Sequence, residues 1–267
     1  MLAFAGNSLL CRVALRDNGI DAASFTAIRL VSGALVLWLI VRLRTPRRAP
    51  AGSWWSAMAL FGYAAAFSYA YLTLSAATGA LLLFGAVQAT MIGYGLWTGH
   101  RLSARQWVGL LLAIGGLVGL LLPGLSAPPL LGSSLMLGAG VAWGIYSLRG
   151  RGGGDPTAVT AGNFIRAAPL ALVLAALALP SLALDSAGVA YAIASGALAS
   201  GVGYAIWYMA LPGLQPASAA SVQLSVPVVA AVGGILFLGE LPTPRLFVAS
   251  LAILGGIAMV IFSRRPA

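Results

Sequence analysis

Gly99-His100-Arg101-Leu102 opens a stretch that runs to Gly115-Gly116, and Gly239-Glu240-Leu241-Pro242 opens another that runs to Gly255-Gly256. Displacing the chain by 140 residues lays the first on the second without a gap, with Arg105 on Arg245, Val108 on Val248 and Leu111 on Leu251. Single identities mean little in text so rich in Ala and Leu. A short turn, a following Arg and a closing Gly-Gly pair recurring together mean more, and they mark each stretch as the end of a repeated unit. Upstream, Phe67 falls on Trp207 at the same displacement. With a three-residue slip, Phe25-Thr26-Ala27-Ile28-Arg29 resembles Ala161-Gly162-Asn163-Phe164-Ile165-Arg166.

Composition says what medium these units occupy. Of 267 residues, 60% are hydrophobic and 7% charged, where a soluble domain carries about 25% charged residues. A bilayer crossing needs roughly 20 apolar residues in a helix. Uncharged runs of about that length cover 1–15, 22–41, 54–76, 78–98, 104–122, 132–148, 157–179, 187–210, 216–238 and 245–262. Short breaks separate them, among them Arg42-Leu43-Arg44-Thr45-Pro46-Arg47-Arg48 and Leu211-Pro212-Gly213-Leu214-Gln215-Pro216. The runs lack period-two alternation, so they read as helices rather than barrel strands. The expectation is an all-α integral membrane protein with ten transmembrane helices. Its first run is the weakest: either its true start lies upstream, or Arg12 and Arg16 snorkel to the far interface. No basic segment precedes Met1-Leu2-Ala3-Phe4, so this run does not read as a cleaved leader.

The net charge of +10 comes from fifteen basic residues, all of them Arg, against five acids. Nucleic-acid binding does not follow, because a basic patch needs a wettable surface and the mean hydropathy of +0.97 leaves almost none. The charge instead reports orientation. With the amino terminus inside, Arg42, Arg44, Arg47, Arg48, Arg101, Arg105, Arg149, Arg151, Arg264 and Arg265 are cytoplasmic, and only Arg12, Arg16 and Arg245 lie outside. Both termini are then cytoplasmic. Each repeat holds an odd number of helices, so the second copy must enter the membrane upside down. The expected units are 1–125 and 130–267, two inverted five-helix repeats.

Gly239-Glu240-Leu241 with Arg245 and Gly255-Gly256, together with the mid-helix Pro of Leu224-Ser225-Val226-Pro227, resembles the EamA-type members of the drug/metabolite transporter superfamily. The likeness spans essentially the whole chain. It departs in the first half, where His100 stands at the family's Glu position and Val87 at its Pro position. The resemblance implies metabolite export, and the superfamily's amino acid exporters, including those for aromatic amino acids, share this ten-helix size.

Polar side chains are costly inside a membrane, so each raises a question of function. Asn7, Gln88 and Gln223 fall near midplane, and with Phe84, Trp143 and Tyr146 they form the expected substrate cavity between the two repeats. Each amide has a blander reading as glue between helices. Gly201, Gly203 and Pro227 are the expected hinge or gating positions. Arg29 and Arg166 are placed equivalently by the repeat and are expected to be structural, bonding helix-end carbonyls or snorkelling, with carboxylate binding as the alternative. Trp54, Trp55, Trp107, Tyr69, Tyr71, Trp207 and Tyr208 fit an interfacial belt. Gly140-Val141-Ala142-Trp143-Gly144, Gly95xxxGly99 and Gly115xxxGly119 offer close packing faces.

The acids Asp17, Asp21, Asp155, Asp185 and Glu240 all lie in turns or at helix ends. A midplane carboxylate for proton or sodium coupling is missing, which favours a facilitator or exchanger using alternating access. The single Cys11 and the lack of a Cys/His cluster give no metal site, and no cofactor is implied. Ala194-Ser195-Gly196 lacks the Gly that a Gly-x-Ser-Gly protease would place before it, so the chain does not read as an enzyme. The expected protein is an inner-membrane exporter of neutral or aromatic amino acids, a monomer or weak homodimer whose partners are its small-molecule substrate and the lipid. The rival readings are another substrate class (nucleoside, amine or sugar derivative), an intramembrane enzyme and a scaffold.

Overall fold

The computed structural model describes residues 1–16, 19–44, 51–99, 101–124, 127–150, 155–210 and 222–262. Where the two quoted stretches align, so do their structures. Gly99 and Gly239 both take left-handed backbone, φ 91° and 62°, a conformation that glycine adopts without steric cost. The helices that follow begin at Ala104 and Pro244, the same displacement apart. His100 lies outside the described residues.

The helices are α1 (Leu2–Arg16), α2 (Ala22–Arg44), α3 (Trp54–Tyr71), α4 (Ala76–Trp97), α5 (Ala104–Leu121), α6 (Leu130–Arg149) and α7 (Pro156–Leu177). Then come α8 (Ser186–Ala210), α9 (Ser225–Leu238) and α10 (Pro244–Phe262). Side chains set several starts by accepting otherwise orphaned backbone N–H groups. Ser53, Ser75, Asp155 and Asp185 do this for α3, α4, α7 and α8, and Ser103 with Gln106 forms a reciprocal capping box on α5. Seven helices (α2, α4, α5, α6, α7, α8 and α10) are long and apolar enough to cross a bilayer. Among the described residues the only β-pairing is the isolated bridge Ile20–Leu184.

Lipid is as apolar as Leu, so helices in a membrane associate by close packing more than by hydrophobic burial. Small residues provide it. On α5 and α10 the second glycine of each pair makes the contact: a Cβ on Gly116 would stand 2.7 Å from Ala252, and one on Gly256 would stand 2.4 Å from the Gly109 carbonyl. Gly115 and Gly119 have open space, so the Gly115xxxGly119 face expected from the sequence is not the packed one. Gly140 and Gly144 do seat α6 on α4, against Ala86 and Thr90. Other long contacts put α2 on α7 and α8, α6 also on α3, α4 on α9, and α1 on α8 and α9.

Pro227 lies in the first turn of α9, just after a break at Leu224 that separates it from the helical residues Val222 and Gln223. One expectation needs correction. Tyr71, expected in the interfacial belt, is fully buried and packs edge-on against Phe67. Trp54 and Trp55 remain exposed as a belt requires.

Candidate functional site

The candidate site grows out of an irregularity in α8. Residues Ser195–Val202 form a π-helical stretch, a form found mostly as a local bulge and often at functional sites. Gly196 lets it press onto α2, since a Cβ there would lie 2.2 Å from the Arg29 carbonyl, and Gly203 meets Ala3 of α1. Gly201 thus lies within the irregular stretch and Gly203 directly follows it, and both allow neighbouring helices to approach closely. The stretch turns two serines inward: Ser195 donates to Asn7 Oδ1 at 2.5 Å, and Arg29 Nε donates to Ser200 Oγ at 3.3 Å.

Asn7 then donates through Nδ2 to the Tyr63 hydroxyl at 3.4 Å, and Arg29 Nη2 donates to the same oxygen at 3.0 Å. Around this polar seam stands a set of rings. Trp143 lies 4.8 Å from Tyr63 and 5.2 Å from Tyr204 between centroids, with Phe4 edge-on to both Trp143 and Tyr204. Together they bound a cavity lined by Phe4, Asn7, Tyr63, Phe67, Leu83, Phe84, Trp143, Tyr204 and Gln223. Its volume is about 20 Å³, room for roughly one water molecule. An amino acid enters only if a wall moves.

Of the residues expected in a cavity, Asn7, Phe84, Trp143 and Gln223 do line one. Gln88 and Tyr146 do not. Gln88 is buried one turn beyond Phe84, while Tyr146 stacks on the far side of Trp143 and accepts from Asn163 Nδ2 at 3.5 Å. The repeat-equivalent arginines also part company. Arg166 does bond carbonyls, those of Gly162 and Ala51. Arg29 neither bonds a carbonyl nor snorkels: it is 1% exposed, with its guanidinium carbon 5.2 and 5.0 Å from the Tyr63 and Phe67 ring centres. Sequence reasoning missed Phe4, Tyr63, Phe67, Tyr204, Ser195 and Ser200. A Phe, Tyr or Ser in an apolar run is too common to stand out, and only the packing selects these.

Hydrogen bonds also tie helix ends together on either side of the bundle. At one end Glu240 pairs with Arg12 at 3.1 Å and accepts the Ala76 N–H at the start of α4 at 2.8 Å. Arg12 continues to the Tyr71 and Leu72 carbonyls, and Arg16 to that of Leu238. Arg12 and Arg16 are therefore tied to the ends of α3 and α9 and, through Glu240, to the start of α4. At the other end Asn163 Oδ1 accepts the Ser53 N–H at 2.9 Å, Ala51 N–H donates to Ala158, and Arg149 reaches Ser56.

This bundle of apolar helices, with a small cavity walled mainly by aromatic rings, defines a multi-pass membrane protein. Residues 130–262 match the EamA-like transporter family. The chain is 31% identical over 247 residues to the threonine/homoserine exporter RhtA of Escherichia coli K12, covering 88% of this chain and 80% of that one. An uncharacterized protein of Pseudomonas aeruginosa is 62% identical over 99% of this chain and 92% of its own. A solved crystal structure shares the fold with a TM-score of 0.68 at 20% identity, covering 97% of this chain and 96% of the other. The chain belongs to the EamA-like transporter family of the drug/metabolite transporter superfamily.

Proposed function

We propose that the chain exports small neutral amino acids across the inner membrane by alternating access at the cavity of Asn7, Tyr63, Trp143 and Tyr204. The observation that carries this reading is the cavity's chemistry: an amide, hydroxyls and aromatic rings deep in an apolar bundle. Such a site pairs with the ends of a zwitterion and with a short side chain. Six rings already crowd the space, so threonine-sized side chains are accommodated ahead of aromatic ones. The kinship with a threonine/homoserine exporter supports the same substrate class.

In this reading 1–125 and 130–267 are two inverted five-helix units, giving ten crossings with both termini cytoplasmic. The self-packing of α2 on α7 and of α5 on α10 supports it, as does the matched pairing of α3 with α6 and of α8 with α1. The acids among the described residues lie at helix ends: Asp21, Asp155 and Asp185 accept backbone N–H groups there, and Glu240 holds Arg12. Transport then runs as facilitated diffusion or exchange, by a monomer or weak dimer. The test is counterflow in liposomes containing the purified protein, against a panel of amino acids, nucleosides, sugars and amines and with no imposed ion gradient. Labelled threonine or a similar neutral amino acid is expected to accumulate transiently. Accumulation of another class alone, or a strict need for a proton or sodium gradient, contradicts the proposal.

A further inference from the structure

We infer that Arg29, with the Tyr63 hydroxyl, is the binding site for the carboxylate of the transported molecule; this rests on the amino acid reading above. A guanidinium buried in an apolar bundle is costly unless its charge and its donors are answered. Arg29 is fully buried, and among the described residues no carboxylate lies against it. Nε and Nη2 are answered by neutral hydroxyls, Ser200 and Tyr63, while Nη1 is buried with no partner among the described residues. Two ring faces supply the remaining stabilisation. The cation is thus partly solvated by the protein and lacks an anion.

Tyr63 connects this cation to the cavity. Its oxygen accepts from both Asn7 Nδ2 and Arg29 Nη2, so both lone pairs are occupied and its own proton is free to be donated. The Tyr63 and Phe67 rings line the cavity and also lie against the guanidinium. They form the wall between the two. The cavity is too small for an amino acid, and a tilt of the Tyr63 ring that keeps its hydroxyl beside Arg29 both enlarges it and uncovers the Arg29 donors. A carboxylate entering there meets Nη1, Nη2 and the phenol O–H, a forked donor set that matches its two oxygens. Arg166, the repeat mate, has its Nη1 on the carbonyls of Ala51 and Gly162, so the site is one-sided.

Competition against labelled threonine counterflow tests this, comparing unlabelled threonine with its carboxamide. In the wild-type protein the carboxamide is expected to compete at least about tenfold more weakly, the scale of one lost charge-assisted pair. In Arg29→Gln the two should compete within about twofold of each other, because the acid loses its partner. Melting in detergent checks that the variant folds. If Arg29→Gln does not fold, Tyr63→Phe serves instead: the acid should weaken roughly fivefold and the carboxamide less, since the phenol's bond to a carboxylate is charge-assisted and its bond to an amide carbonyl is neutral. Equal competition in the wild type, or an unaltered acid-to-amide ratio in the folded variant, overturns the carboxylate site alone. Failure of the wild type to move any amino acid overturns it together with the proposed function.

Discussion

The two ends of the bundle are closed by different chemistry. At the Glu240 end a carboxylate joins Arg12 on α1 to the first N–H of α4, so opposite charges and a helix terminus meet in one cluster. At the Asn163 end the bonds are those of a neutral amide to a backbone N–H and of arginines to carbonyls and a hydroxyl, with the Asp155 carboxylate capping the start of α7. Removing a single charge from the first cluster strands its partner, whereas losing one bond of the second leaves no charge unpaired. Under the proposed alternating access, the Glu240 end is expected to be the harder one to open.

The largest expected effect comes from Glu240→Ala, which orphans both Arg12 and the Ala76 N–H. It should cost about 3 kcal/mol in unfolding measured in detergent, the lower end for a buried pair because both side chains keep some exposure. Combining Arg12→Met with Glu240→Gln should recover about 1 kcal/mol or more relative to the sum of the single changes. A strictly additive pair would dissolve the contrast between the ends. Asn163→Ala ranks next, at about 1–2 kcal/mol for the lost partner of the Ser53 N–H. An effect equal to that of Glu240→Ala would make the two ends energetically alike.

The smallest effects separate cavity from packing. Asn7→Ala should cut threonine flux about tenfold, while Gln88→Ala should leave it within about twofold. Equal losses would return Gln88 to the site, where the sequence had put it.

That pair of amides shows what the sequence could and could not say. Helix, membrane and family were legible because each follows from long-range regularities: apolar runs, the placement of Arg, and the turn repeated at Gly99 and Gly239. Asn7 and Trp143 were legible because a polar or bulky side chain in the middle of such a run needs an explanation. Gln88 met the same criterion and shares a face with Phe84, but lies one turn too far along α4, since a hydrophobic run does not reveal the level at which the cavity sits. Arg29 and Arg166 match in sequence and differ in surroundings, because the π-helical stretch that brings Ser200 to Arg29 is set by the packing of α8 on α2. Tyr63, which joins Asn7 to Arg29, looked like any other aromatic in an apolar run.

The central claim is that the cavity of Asn7, Tyr63, Trp143 and Tyr204 is the place where substrate sits while either end opens. It is tested most directly by Leu83→Cys, a lining position, in a Cys11→Ala background that removes the native thiol. Alkylation by a membrane-impermeant reagent would be followed in right-side-out and inside-out vesicles. Labelling is expected from both faces, slower from the Glu240 side, and slowed further on each face by threonine. Labelling from one face only, or rates indifferent to every neutral amino acid, would contradict the account.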